Sequence, residues 1–311
     1  MELIRGFHNL KAQHRGCVAT IGNFDGVHLG HQTVLGQLAD KAAELGVPSV
    51  VISFEPYPKE YFAAEKAPAR LTRLREKVNA LSRYSVDRML CLRFDEKFAQ
   101  QPAREFIDKV LITGLDVRYL VVGDDFRFGH QRAGDFALLE EVGKQQGFEV
   151  VHLHTFNIDG DRVSSTRVRQ ALEVGDMATA EKLLGRPYRM SGRVAHGDKR
   201  GRTIGFPTAN IHLHRQNTPV KGVFAVELFG IKGEPVAGVA NVGTRPTVDG
   251  TRSLLEVHLF DFDEEIYGEY VHVEFVYKLR DETKFDSFDA LKRQIDLDAK
   301  QARDHFLKRK S

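Results

Sequence analysis

Gly22-Asn23-Phe24-Asp25-Gly26-Val27-His28-Leu29-Gly30-His31 concentrates more chemistry than any stretch of similar length in this chain. Its glycines permit tight turns and let a ligand approach main-chain N–H groups closely. His28 and His31 have a spacing that, on a helical turn, aims both imidazoles at one ligand. An imidazolium donates charge-assisted hydrogen bonds to phosphate oxygens whose charge grows as a P–O bond breaks. Spacing alone leaves two other uses open, capping a helix or holding a metal. The surroundings favour phosphate. An apolar strand, Cys17–Ile21, runs into the turn, and Val34, Leu35, Leu38, Ala42 and Leu45 recur beyond it at helical spacing. A helix is therefore predicted from His31 to Leu45, its anion-attracting N-terminus on the turn.

A second phosphate-handling stretch runs from Gly192 to Asn210. Gly197, Lys199, Gly201, Arg202 and Gly205 supply backbone amides and positive charge that can wrap a polyphosphate, and Phe206-Pro207-Thr208 stiffens the exit. The Thr208 hydroxyl and Asn210 amide suit a magnesium ion that keeps several of its waters. A basic, flexible hairpin touching RNA is the alternative, but it does not need Pro-Thr-Ala-Asn.

Three more segments carry candidates. Phe54-Glu55-Pro56-Tyr57-Pro58, followed by Tyr61 and Phe62, is a loop stiffened by Pro56 and Pro58 whose rings can stack on a flat heterocycle. Gly123-Asp124-Asp125-Phe126-Arg127-Phe128-Gly129 is a glycine-flanked turn. In it Asp125 can fix a ribose, a flat heterocycle or magnesium, and Phe128 offers a second stacking face. Ser165 and Thr166 open a short helix with Arg169 one turn on, which makes either an anion cradle or a plain N-cap.

The elements that position these residues follow from apolar patterning. Runs at 17–21, 49–54, 89–94, 119–123 and 149–153 alternate with helical patterns at 31–45, 71–84, 102–113, 136–146 and 165–172. Alternation of this kind predicts an α/β domain with a doubly wound, Rossmann-like parallel sheet, whose ligands sit beyond the carboxyl ends of the strands. From about residue 182 the texture changes to short alternating runs at 223–229, 235–242, 254–260 and 270–279, which predict a small antiparallel barrel closed by a helix carrying Phe288, Leu291, Ile295 and Phe306. Two domains are expected, 1–184 and 185–311.

With 311 residues, 42% hydrophobic and 28% charged, the chain reads as an ordinary globular protein. Its 45 basic and 43 acidic residues leave a net charge of +2, too balanced for a protein that coats nucleic acid. No apolar run is long enough to cross a bilayer and the first residues are not a secretory signal, so a cytoplasmic protein is expected. Cys17 and Cys91 sit in apolar runs without metal or redox spacing. Sequence leaves self-association open.

Gly22 to His31 resembles the His-x-Gly-His signature of the nucleotidyltransferase superfamily, in the form found in the bacterial bifunctional riboflavin kinase/FAD synthetases. Ser164-Ser165-Thr166-Arg167-Val168-Arg169 is similar to that superfamily's Ser-Ser-Thr-x-x-Arg element. The stretch from Gly197 to Asn210, with Gly238 to Thr247 and Leu255-Glu256-Val257-His258 downstream, resembles the flavokinase pattern. The resemblance extends from about residue 17 to 306. It implies a barrel of Greek-key type that phosphorylates riboflavin to FMN with ATP and magnesium, and a sheet domain that adenylates FMN to FAD. ATP at the sheet would meet Gly22, Asn23, Phe24, Asp25, Gly30, Ser165, Thr166 and Arg169, the last three holding pyrophosphate. His28 and His31 would stabilise the transition state. Flavin would lie against Phe54, Pro56, Pro58, Phe62, Asp125 and Phe128. In the barrel, Glu256 would be the base for the riboflavin 5′-hydroxyl. An active kinase beside a degenerate sheet domain, or a flavin or RNA sensor, are the competing readings.

Overall fold

A computed structural model describes residues 1–123, 125–153, 156–195, 207–215, 217–231, 233–247 and 250–310. The chain divides into two compact units, Met1–Pro68 with Thr72–Ser164, and Ala69–Leu71 with Ser165–Ser311. That division falls earlier in the chain than the boundary expected after residue 184.

The first unit contains strands β1 (Glu2–Arg5), β2 (Cys17–Ile21), β3 (Ser49–Glu55), β4 (Arg88–Arg93), β5 (Val117–Gly123) and β6 (Glu149–Leu153). They form one sheet in the order β1-β4-β3-β2-β5-β6, and every neighbouring pair is parallel. Alternate residues of β2 feed opposite cores: Cys17, Ala19 and Ile21 on one side, Val18 on the other. Helix α1 (Leu29–Leu45) covers the Val18 side with Val34, Leu35, Leu38 and Ala42. Gly46, at φ 63°, ends it and donates to the Ala42 and Ala43 carbonyls. The short helices α2 (Pro58–Phe62), α3 (Leu74–Leu81), α4 (Glu96–Ala99) and α5 (Ala103–Phe106) follow in the first half. α5 runs on through a widened helical stretch, Ile107–Gly114, whose apolar residues join those of α6 (Phe136–Gln146) on the opposite face of the sheet. A two-stranded hairpin, β7 (Asn157–Ile158) with β8 (Asp161–Arg162), completes the unit.

Because β3 and β4 lie to one side of β2 while β5 and β6 lie to the other, the chain reverses direction across the sheet between β2 and β5. The crevice beyond the carboxyl ends of these two strands is where such sheets bind ligands. Gly22 to His31 follows β2, and Asp125 to Phe128 follows β5.

The second unit opens with α7 (Ser165–Val174) and α8 (Met177–Leu184), the latter packed on β9 and β14. Six strands follow: β9 (Tyr188–Ala195), β10 (Thr208–His212), β11 (Gly222–Phe229), β12 (Val236–Thr247), β13 (Gly250–Leu259) and β14 (Tyr270–Arg280). They close into an antiparallel barrel in the order β10-β13-β12-β11-β14-β9. Strand β14 returns to lie beside the first member of the β11-β12-β13 meander, which is Greek-key order. Helix α9 (Phe288–Lys310) packs on β11, β12 and β14. The segment Ala69–Leu71 is held in this unit by its carbonyls: Arg169 Nε donates to Ala69 at 2.7 Å, an Arg215 guanidinium nitrogen to Arg70 at 2.7 Å, and the Tyr188 hydroxyl to Leu71 at 3.2 Å.

Candidate active sites

The turn after β2 is held in a conformation that few sequences tolerate. Phe24 and Val27 both adopt positive φ, 48° and 46°, with Gly26 at 85° between them. A β-branched residue there is a strained exception of the kind that gathers at functional sites. Buried hydrogen bonds hold it. Asp25, only 3% exposed, accepts through Oδ1 from the Thr72 N–H (2.9 Å), the Thr72 hydroxyl (3.2 Å) and the Tyr57 hydroxyl (3.3 Å). The Thr72 hydroxyl also accepts from the Gly26 N–H at 3.0 Å. Gln32 Nε2 donates back to the Val27 carbonyl at 2.9 Å.

These restraints present the two histidines. His28 is the N-cap of α1, its Nδ1 accepting from the His31 N–H at 3.3 Å. A nitrogen that accepts carries no proton, so the donor of His28 is Nε2. The two rings stack with centroids 3.7 Å apart and planes inclined by 15°. Gly30 is what permits this, since a Cβ there would stand 3.3 Å from the His28 ring and from the Val163 carbonyl. Nδ1 of His31 and Oδ1 of Asn23 are sealed from solvent with no hydrogen-bond partner among the described residues. Burial, reinforced by the charges of His28, Lys77 and Arg162, holds the His31 pKa well below the usual histidine value. Arg162 itself pairs with Asp125 at 3.3 Å. Neutral donors ringed by positive charge at a helix N-terminus make an anion site.

Beside it lies a continuous run of aromatic rings. Phe54 packs on Phe94 and Phe98, Phe98 on Phe106, Phe106 on Phe128, and Phe128 on Phe126, with centroids between 5.3 and 6.0 Å apart. At its outer end Phe62, 68% exposed, touches Tyr61 and Phe94. Pro56 comes two residues after Phe54, just past the end of β3, and Pro58 opens α2.

In the barrel, strand register assembles a second polar row. Glu256 on β13 stands directly opposite Asn210 on β10 and Asn241 on β12, so the three share one face. Their neighbours Leu255 and Val257 point into the core. Thr208 is two residues before Asn210 and pairs with His258. His258 Nδ1 donates to the Pro207 carbonyl at 3.0 Å, tying the start of β10 to β13. Asn241 donates to Glu282 Oε1 at 3.4 Å, while its Oδ1 is buried and unpartnered among the described residues. A hydroxyl, amides and a carboxylate are the hard oxygen donors a magnesium ion takes.

A family model for FAD synthetase matches residues 10–167, and one for riboflavin kinase matches residues 184–306. The bifunctional riboflavin kinase/FMN adenylyltransferase of Haemophilus influenzae is 54% identical over 98% of this chain and 99% of its own length. That of Escherichia coli K12 is 53% identical over 98% of each. The chain belongs to this bifunctional family. A solved structure described as a macrolide-efflux protein from Streptococcus pneumoniae matches with a TM-score of 0.81 at 33% identity, over 97% of this chain and 99% of that one. Among the described residues no helix is long and apolar enough to cross a membrane.

Several expectations about this family member change once side chains are placed. The helix begins at Leu29 rather than His31, because His28 takes the cap and its histidine partner falls in the first turn. His31 is held neutral rather than as the expected imidazolium. Phe128 offers no open face: it is 8% exposed, enclosed by Phe106 and Phe126. Asp25 spends its Oδ1 on Thr72 and Tyr57, Asp125 faces Arg162, and Arg169 Nε engages Ala69. Ser165, Thr166 and Arg169 share the first turns of α7 in the second unit. Gly197, Lys199, Gly201, Arg202, Gly205 and Phe206 lie outside the described residues. Tyr57, Thr72, Lys77, Arg162 and His258 are partners that the motifs did not single out as site residues. They lie far in sequence from the residues they hold; Tyr57 and His258 fall inside quoted motifs without a role of their own, while Thr72 and Lys77 lay only within the helical pattern 71–84.

Proposed function

We propose that the two units act in succession on one vitamin, the barrel converting riboflavin to FMN and the sheet converting FMN to FAD, with the side chains above in defined roles. The observation that carries the assignment is that each unit holds its own set of phosphate-handling groups: the stacked His28 and His31 beyond β2, and the Thr208, Asn210 and Glu256 face of the barrel. Matches to both family models, and full-length relatives bearing both names, favour this over a kinase with a degenerate partner. We assign the adenylyltransferase module to 1–184 and the kinase module to 185–311, in a cytoplasmic protein.

In the kinase step Glu256 accepts the proton of the riboflavin 5′-hydroxyl, whose oxygen attacks the γ-phosphorus of ATP as ADP leaves. Thr208 and Asn210 would hold magnesium, which when bound neutralises phosphate charge. The backbone amides and basic groups of Gly197, Lys199, Gly201, Arg202 and Gly205, with Phe206 and Pro207, cradle the nucleotide.

In the adenylyl step a phosphate oxygen of FMN attacks the α-phosphorus of ATP, and the bond to the bridging oxygen breaks to release pyrophosphate. No protein nucleophile takes part. Positioning and neutralisation of spreading charge supply the rate. Gly22, Asn23, Phe24, Asp25 and Gly30 shape the ATP turn, His28 Nε2–H and the His31 ring meet phosphate oxygens, and Ser165, Thr166 and Arg169 are assigned to the pyrophosphate. Phe54, Pro56, Pro58, Phe62, Asp125 and Phe128 frame the flavin, Phe128 from behind the wall. A product time course from riboflavin, ATP and magnesium tests the scheme: FMN should appear first and FAD follow at its expense, with pyrophosphate released in step with FAD. FMN accumulating without FAD would leave only the kinase.

A further inference from the structure

Lys77 is 0% exposed, among the largest fully buried side chains of the protein. A lysine is buried to this degree only when its surroundings hold the ammonium. Here Nζ donates to Ser53 Oγ, on β3, at 3.1 Å and stands 4.4 Å from the centroid of the Tyr57 ring. The same Tyr57 reaches Asp25 of the phosphate turn with its hydroxyl. One ammonium thus grips the strand end and the aromatic loop, and through Tyr57 the loop grips the turn that presents the histidines.

We propose that Lys77 is a positioning residue for adenylyl transfer: from beneath the site it fastens the Tyr57 loop to β3 and supplies part of the positive potential in which His31 meets phosphate. This rests on the role given above to the histidine turn. The positive charges that act on His31 are those of His28 at the start of α1, Lys77 from α3 and Arg162 from β8; of the acidic residues, Asp25 belongs to the same turn and Asp125 is paired to Arg162. Ser53 and Tyr57 both belong to segments that frame the flavin, so loss of the ammonium should loosen flavin geometry as well as weaken the field.

Lys77→Met keeps the stem and removes the charge. It should lower kcat for FAD formation by about tenfold or more while FMN formation stays at the wild-type rate, since a small displacement at a reacting centre has effects of that order. The His31 ring protons, followed by NMR, should titrate at higher pH in K77M, because a nearby cation disfavours the imidazolium. A folded K77M that makes FAD at the wild-type rate, or that loses FAD formation with His31 titrating as before, overturns the proposal. Should K77M fail to fold, Ser53→Ala carries the test: it keeps the charge but frees the ammonium, and is expected to raise the KM for FMN severalfold, whereas unchanged FAD kinetics overturn the proposal. His28→Ala is the control. If it spares FAD formation the histidine turn is wrongly assigned, whatever Lys77 does. If it abolishes FAD formation while K77M does not, only the role of Lys77 falls.

Discussion

The His28 imidazole lies flat on that of His31, 3.7 Å away, while its Nδ1 caps the helix on which His31 sits. One ring is thereby fixed by the other's backbone, and the signature is a single rigid donor set rather than two independent side chains. His28→Ala removes the cap and a phosphate donor together. It should cost about 1 kcal/mol of stability in the first unit and slow FAD formation by about 10²-fold or more, measured by pyrophosphate release from FMN and ATP. FMN formation should be untouched. Glu256→Ala should produce the reverse pattern, and loss of both activities from either change in a folded protein would show that the sites are not independent.

Protonation of His31 gives a pH prediction. Its folded pKa lies well below the ordinary 6.5, so between those two values the unfolded chain binds more protons than the folded one, and stability falls as pH drops below about 6.5. Bound triphosphate reverses the sign of the local field and favours the imidazolium. ATP should therefore bind with uptake of a fraction of a proton near pH 6, seen as a dependence of the calorimetric heat on buffer ionisation enthalpy. His31→Asn should abolish that uptake.

Gly30 tests how closely the stack must fit. A Cβ there would meet the His28 ring and the Val163 carbonyl at 3.3 Å, a distance that demands displacement of a few tenths of an ångström without forbidding the fold. Gly30→Ala should stay folded and lose about tenfold in FAD formation, because the displaced group is the one that must point at phosphate. A variant with wild-type kinetics would mean that the His28 ring has room to spare.

The sheet and barrel were legible because their strands are apolar runs punctuated by glycine, and the bounds of β2 and α6 agree with the patterning to the residue. β1 was not: four residues at a sheet edge give no period to read. β10 hid inside a motif whose glycines and Pro207 read as loop, although Thr208–His212 pairs on both sides. The motifs singled out His28, His31, Thr208, Asn210 and Glu256, and folding sets the first two just beyond the end of β2 and the other three on paired strands of the barrel. What they did not carry was support at long range. Asp25 and Thr72 are 47 positions apart and Lys77 and Ser53 are 24 apart, and only folding brings them together. Protonation was equally hidden, since burial and three neighbouring charges, not residue type, decide it for His31.

Arg280 and Asp298 anchor the closing helix of the barrel. Both guanidinium nitrogens that face the helix bond to the Asp298 carboxylate, Nε at 3.0 and 3.1 Å and the terminal nitrogen at 2.8 Å, and Gln294 Nε2 adds a further donor at 2.9 Å. Asp298 is 3% exposed, so its carboxylate is held out of water against a partly exposed Arg280, and deleting it leaves a partly buried cation without its main partner. Asp298→Ala should destabilise the second unit by about 3 kcal/mol, read from urea unfolding of the kinase activity. Asp298→Asn, which retains an acceptor for Arg280, should lose less. If both variants unfold at the wild-type urea concentration, the helix is held without this pair, by Ala299, Ala302 and Phe306 against the barrel and by the Arg303–Asp261 bridge.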